Sequence, residues 1–207
     1  MKAFLTIALS ILSVLCHAQD ERYYRKIFTG ELTEKTKELQ NYKVTVQSPR
    51  YEIDLNQDKI MESIRVEKRD GKDFFFIYNE FGVEIFSKTL PGIGGGSRLI
   101  KVDLKSISKN TNALILHFYE GAINASKFEA MAKLYFISID KNDFKKIGFF
   151  KGPHFFYESQ KDSSYINRRY TVNAYDYNKD GIRELSINYN KIARIYFYKG
   201  LGEWKQI

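Results

Sequence analysis

The sequence predicts a mainly β protein built from antiparallel, four-stranded, blade-like repeats. Three observations predict it. The chain has 207 residues with 16 Phe and 15 Tyr but only 3 Pro, and aromatic and β-branched residues favour pleated, half-buried surfaces. From about Tyr42 onward, short alternating apolar runs are separated by polar turns, the pattern of half-buried strands. An acidic motif also occurs twice, at residues 54–62 and 176–184. A motif repeated so far apart marks the reuse of one structural unit.

The first element is a processing signal. Lys2 gives a positive start, residues 3–15 are an apolar run, and Cys16-His17-Ala18 places small residues before a cut after Ala18. The run is short for a span, which needs about 20 residues. Leu15 before Cys16 departs from the small residue expected ahead of an acylated cysteine. Residues 1–18 are therefore expected to be a leader and the mature chain to be exported, periplasmic or extracellular, rather than a lipoprotein. Cys16 is the single cysteine, so the mature chain would have no disulfide, and bound ions could serve as staples. No later stretch is apolar enough to cross a bilayer.

Residues 19–49 are read as an N-terminal segment with a short charged helix at 31–40 and a strand. Residues 50–207 are read as one β domain of three repeats, about 50–91, 97–151 and 155–207. In the first, strands run through Ser63-Ile64-Arg65-Val66-Glu67 and Phe74-Phe75-Phe76-Ile77-Tyr78, joined by Asp70-Gly71, a strong two-residue hairpin signal. Asn79-Glu80-Phe81-Gly82 reads as the next turn. Pro91 to Ser97 is glycine-rich, but it lacks a Gly-Lys-Ser/Thr ending and no helix follows, so it reads as a connection rather than a phosphate loop. The second repeat has strands at 99–104, 113–119, 133–139 and 145–150. Its loop, 103–110, lacks the acidic ligands, and a helical or looped piece is expected at 124–132. The third repeat restores the acidic loop and ends in an aromatic hairpin.

The two acidic loops carry the chemistry. Asp54, Asn56, Asp58, Ile60 and Glu62 match Asp176, Asn178, Asp180, Ile182 and Glu184, both reading D-x-N-x-D-x-I-x-E. Side-chain oxygens at alternating positions, an isoleucine carbonyl and a closing carboxylate suit a hard cation such as calcium, whereas magnesium demands compact octahedral geometry. An EF-hand requires Glu at the twelfth position and flanking helices. Here the twelfth residues are Arg65 and Ile187, and the flanks read as strands. An ordinary Asx turn is the competing reading. The sixth position is Gly181 in one copy and Lys59 in the other, which matters where a loop needs positive φ. The apolar phase after the loop also differs. Ile64 and Val66 follow Glu62, but Leu185, Ile187 and Tyr189 follow Glu184. A bulge or a different packing must separate the copies.

The motif Asp176-Tyr177-Asn178-Lys179-Asp180-Gly181-Ile182-Arg183-Glu184-Leu185, followed by a strand and Ile195-Tyr196-Phe197-Tyr198, resembles an FG-GAP or VCBS-type repeat. The resemblance implies integrin-like propeller blades with one or two structural calcium ions. Three repeats are fewer than the 4–8 blades of a closed propeller. It therefore implies a partial propeller or a sandwich-like stack.

Catalysis finds no motif. His117 sits within a strand, where a partly buried histidine is the usual explanation, and His154 follows Pro153 in an expected turn. Neither belongs to a known catalytic arrangement. Trp204 and Tyr198 could stack on sugars, but strand aromatics are more commonly core. The net charge of +8 comes from Lys and Arg spread without a dense run, which does not point to nucleic acid. The expected role is binding or scaffolding at the cell envelope, toward an envelope protein or an acidic glycan. The alternative is an envelope hydrolase with dispersed acidic residues.

Overall fold

The computed structural model describes residues 50–207 apart from 95, 124–127, 162, 168, 190 and 191. The expected leader at 1–18 and helix at 31–40 lie outside the described residues, as do residues 124–127 of the second expected helical piece. The described residues belong to one compact unit, 47–207. They form strands and turns only.

Three antiparallel sheets follow one another along the chain. The first comprises β1 (Tyr51–Ile53), β2 (Glu62–Arg69), β3 (Lys72–Tyr78) and β4 (Glu84–Leu90). The second comprises β5 (Arg98–Ser106), β6 (Thr111–Ile123), β7 (Glu129–Asp140), β8 (Asp143–Ser159) and β9 (Ser164–Asn167). The third comprises β10 (Thr171–Tyr175), β11 (Glu184–Tyr189), β12 (Ile192–Gly200) and β13 (Glu203–Gln206). Each sheet is a meander in which sequence neighbours pair. The β2–β3 hairpin turns on Asp70 and Gly71, at φ +49° and +73°, the left-handed pair that a two-residue hairpin requires.

The second sheet lies between the other two. On one of its faces Leu114, Leu116, Phe118, Tyr135, Ile137 and Ile139 join Leu55, Ile64, Val66, Phe75, Ile77 and Leu90 of the first sheet in one apolar cluster. On the other face Phe136 packs edge-on against Tyr196 and Trp204 of the third sheet, with ring centroids 5.3 and 5.6 Å apart. Trp204 is thus core. Because both faces of β6 and β7 are covered, their apolar residues form near-continuous runs rather than an alternation.

Several expectations change here. Residues 129–132, expected as helix or loop, are the start of β7. Asp103 to Ser106, assigned to the degenerate loop, complete β5, so the turn itself is 107–110. β8 continues through 155–159, and β9 pairs with it, so the third sheet opens at Thr171 rather than near Phe155. His154 lies within β8 rather than in a turn. Proline cannot donate to a ladder, and the β7–β8 register shifts on either side of Lys133, opposite the Pro153–His154 segment. The strand absorbs the proline as an irregularity and continues.

Candidate functional site

The two acidic loops join equivalent strands in the same register. Ile53, just before Asp54, pairs with Glu62, and Tyr175, just before Asp176, pairs with Glu184. Their internal hydrogen bonds also correspond. In the first loop the Asp54 carboxylate accepts the backbone N–H groups of Gln57, Asp58 and Lys59 at 2.6, 3.1 and 2.9 Å. In the second, Asp176 accepts those of Asp180 and Gly181 at 3.2 and 3.0 Å. Asn56 and Asn178 each accept from the residue two positions on, at 3.1 and 3.2 Å. Asp58 accepts from Ile60 N–H, and Asp180 from Ile182 N–H, both at 2.7 Å. Glu62 and Glu184 reach back across the loop mouth to the N–H of Leu55 and Tyr177, both at 2.8 Å.

Backbone dihedrals repeat the correspondence. Positions four and six are left-handed in both loops: Gln57 at +70° and Lys59 at +75°, Lys179 at +60° and Gly181 at +86°. For a residue with a Cβ this region costs about 1–2 kcal/mol, so Lys59 holds strain that Gly181 avoids. Glu62 is buried, and its carboxyl is raised above the ordinary range. Burial is the main cause, and the nearby Asp58 and Asp54 charges add to it, while the Leu55 N–H opposes.

Each loop is further closed by its own asparagine. The Asn56 amide donates to Asp58 Oδ2, and the Asn178 amide to Asp180 Oδ2, both at 2.8 Å. Among the described residues, no group of three or more His, Cys, Asp or Glu converges as a metal-holding cluster. The donor set of each loop is nonetheless all oxygen: three carboxylates and an amide held to one ring by backbone N–H groups. In the described geometry these oxygens accept from backbone N–H groups and from the asparagine amide rather than gathering around one point.

Both loops border the turn 107–110 of the second sheet. Asn112 donates to the Leu55 carbonyl at 2.7 Å, Lys141 Nζ to Gln57 Oε1 at 2.8 Å, and Arg183 N–H to the Ile107 carbonyl at 2.8 Å. The two sequence-distant loops thus share one end of the molecule.

Two polar clusters were not anticipated as groups. His117 is bonded through Nδ1 to the Tyr170 hydroxyl and through Nε2 to Asp103 Oδ2 at 3.0 Å. Lys101 approaches the same carboxylate at 2.8 Å. The His117 bond, aided by Lys101, holds the Asp103 carboxyl well below the usual carboxylate range, with burial opposing. Burial pushes the Tyr170 phenol far up. In the second cluster, buried Glu120 accepts from the Tyr135 hydroxyl at 2.6 Å. Lys133 stands 3.5 Å from Glu120, and His154 stands 3.8 Å away. Burial, then Lys133, lower the His154 pKa. A polar residue amid an apolar strand signalled that His117 needed a partner. Only the strand pairing, and a tyrosine 53 positions away, decided which.

No family model, curated protein or solved structure matches the chain.

Proposed function

We propose that this is an exported calcium-binding β-repeat protein with a binding or scaffolding role at the cell envelope. Its three sheets act as blades of a partial propeller of the FG-GAP or VCBS type. The observation that carries the reading is the correspondence of the two acidic loops in register, in left-handed positions and in hydrogen bonding. The agreement supports the reuse of one structural unit in the two outer sheets. The ion's role is structural. Asp54, Asp58 and Glu62 repel one another at a strand corner, and so do Asp176, Asp180 and Glu184, and a divalent cation removes that repulsion.

Thermal melts test this. Extracellular calcium modules bind at about 0.1–1 mM, and a ligand at about 100 times its dissociation constant stabilises by about 2.7 kcal/mol. Calcium should therefore raise the melting temperature over a chelator control. Asp180→Ala should abolish most of the rise, and Asp58→Ala a smaller part, since Lys59 already strains its loop. Identical melts with calcium and with chelator would leave the loops as plain Asx turns.

A further inference from the structure

The strands on either side of β7 bulge in the same band of the second sheet. In β6, Glu120 is left out of the ladder between Tyr119, opposite Ala132, and Gly121, opposite Met131. Its carbonyl accepts the Ile93 N–H instead, at 2.8 Å. In β8, Gly152 and Pro153 stand between Lys151, opposite Tyr135, and His154, opposite Lys133. Bulges re-aim side chains and are over-represented beside functional sites. Here they bring Glu120 and His154 to Lys133 from its two neighbouring strands.

The resulting cluster runs from the interior to the surface. The Glu120 side chain is 3 % exposed, Lys133 12 % and His154 44 %, and Lys151 is exposed. Tyr135 belongs to the apolar layer between the first and second sheets, and its hydroxyl anchors Glu120 through Oε1. Lys133 Nζ approaches the same oxygen, at 3.5 Å, while Oε2 stands 3.8 Å from His154 Nε2. An ammonium has three donors. Lys133 meets one carboxylate, at a distance longer than a good charge-assisted bond. The charged groups that act on His154 are Lys133, Lys151 and Glu120, two cations and one anion. One carboxylate cannot neutralise both ammonium groups, so the cluster carries net positive charge beside a half-exposed imidazole.

We propose that Lys133, His154 and Lys151 bind a single oxyanion group, a carboxylate or a phosphate. The two lysines supply charge and His154 a directed ring N–H. Glu120, fixed by Tyr135, orients Lys133 from the interior side. The ligand class includes uronate sugars and phosphate-bearing polymers, so the inference deepens the binding role proposed above by naming a ligand chemistry and a site. It does not involve the acidic loops.

Histidine NMR on the full chain in calcium-free buffer tests this, with digalacturonate and inorganic phosphate as probes. An anion at the site should shift His154 saturably, with a dissociation constant of about 1 mM or tighter. It should also raise the His154 pKa, because it offsets Lys133 and Lys151. His117, held between Asp103 and Tyr170, should not respond. Neutral digalactose, or sodium chloride at matched ionic strength, should leave His154 unmoved. Lys151→Ala alters an exposed position, so it should fold normally and bind about two- to fivefold more weakly. Lys133→Met should abolish binding, and if it fails to fold, Lys151→Ala still decides. Glu120→Gln keeps an acceptor for Tyr135 and removes the competing charge, so it should bind about threefold or more tightly. A response to digalacturonate alone assigns the site to uronate carboxylates, and a response to phosphate alone assigns it to phosphate groups. Either one supports the site. No saturable shift with either probe, or a shift that sodium chloride reproduces, overturns it and leaves the calcium reading to its own melts. Weaker binding by Glu120→Gln overturns the charge argument.

Discussion

The first and third sheets have the same four-strand meander and the same acidic loop, yet they bury opposite faces. In β2 the inward residues stand two and four positions after the loop glutamate, Ile64 and Val66, which join the cluster against the second sheet. In β11 they stand one and three positions after it, Leu185 and Ile187. Leu185 lies opposite Tyr196, which packs on Phe136 of the second sheet. No register shift occurs between β1 and β2 or between β10 and β11, so a bulge is not the reason. The second sheet lies between two sheets of like construction, and each presents to it the face that the other turns away. The second loop position shows the consequence. Leu55 is 0 % exposed and Tyr177 is 47 % exposed, although each N–H donates to Oε2 of its own loop's glutamate, Glu62 or Glu184.

The largest expected effect separates the third sheet from the second. A Cβ on Gly148 would lie 2.1 Å from the backbone nitrogen of Gly202, so two backbones meet where no side chain fits. Gly148→Ala should cost about 4 kcal/mol. Trp204 fluorescence should respond, since its packing on Phe136 crosses that contact. A melt and emission spectrum equal to wild type would show that the third sheet does not depend on this approach.

The paired loop positions come next. Leu55→Ala removes a fully buried side chain and should cost about 3 kcal/mol. Tyr177→Ala should cost about 0.5 kcal/mol or less, as a surface change does. Urea unfolding of both variants measures the difference directly. Equal costs would mean that the two loops are packed alike, contrary to their faces.

Smaller still is the contrast at position six. Lys59→Gly should stabilise the fold by about 0.5–1 kcal/mol, because glycine relieves the left-handed strain at the expense of a more flexible unfolded chain. Gly181→Ala should destabilise by about 1 kcal/mol. Opposite signs in chelator, where no ion contributes, isolate the backbone term from any effect on calcium binding.

The smallest effect concerns pH and the second sheet's contact with Tyr170. The folded state holds the Asp103 carboxyl below its unfolded pKa, mainly through His117. The stabilisation is therefore fully present above the unfolded value of about 4 and is lost as pH falls below it. Asp103→Asn should flatten the stability curve on the acid side. An unaltered acid limb would show that other carboxylates govern it.

What could be read in the sequence had local causes. The alternating run at 63–67 and the aromatic and β-branched runs at 74–78 and 133–139 specify strands, because side chains alternate across a pleat and these residue types suit its surfaces. Asp70-Gly71 specifies a hairpin because its two residues tolerate positive φ. The acidic repeat specifies matching loops because oxygen side chains two apart can face one ring of backbone N–H groups. The misplaced elements were those decided by pairing at a distance. β8 runs through Pro153 because β7 and β9 hold it on both sides, and residues 129–132 are a strand because β6 and β8 flank them.

By itself, the sequence determined the mainly β class, the antiparallel hairpins and the oxygen-rich loops, since each depends on residues a few positions apart. Only the tertiary structure decided which face of each outer sheet is buried and that both loops share one end. It also set Asp103 and Tyr170 as the partners of His117. These choices depend on what lies across a sheet or between sheets, and an alternating strand can satisfy either face until a neighbour covers one.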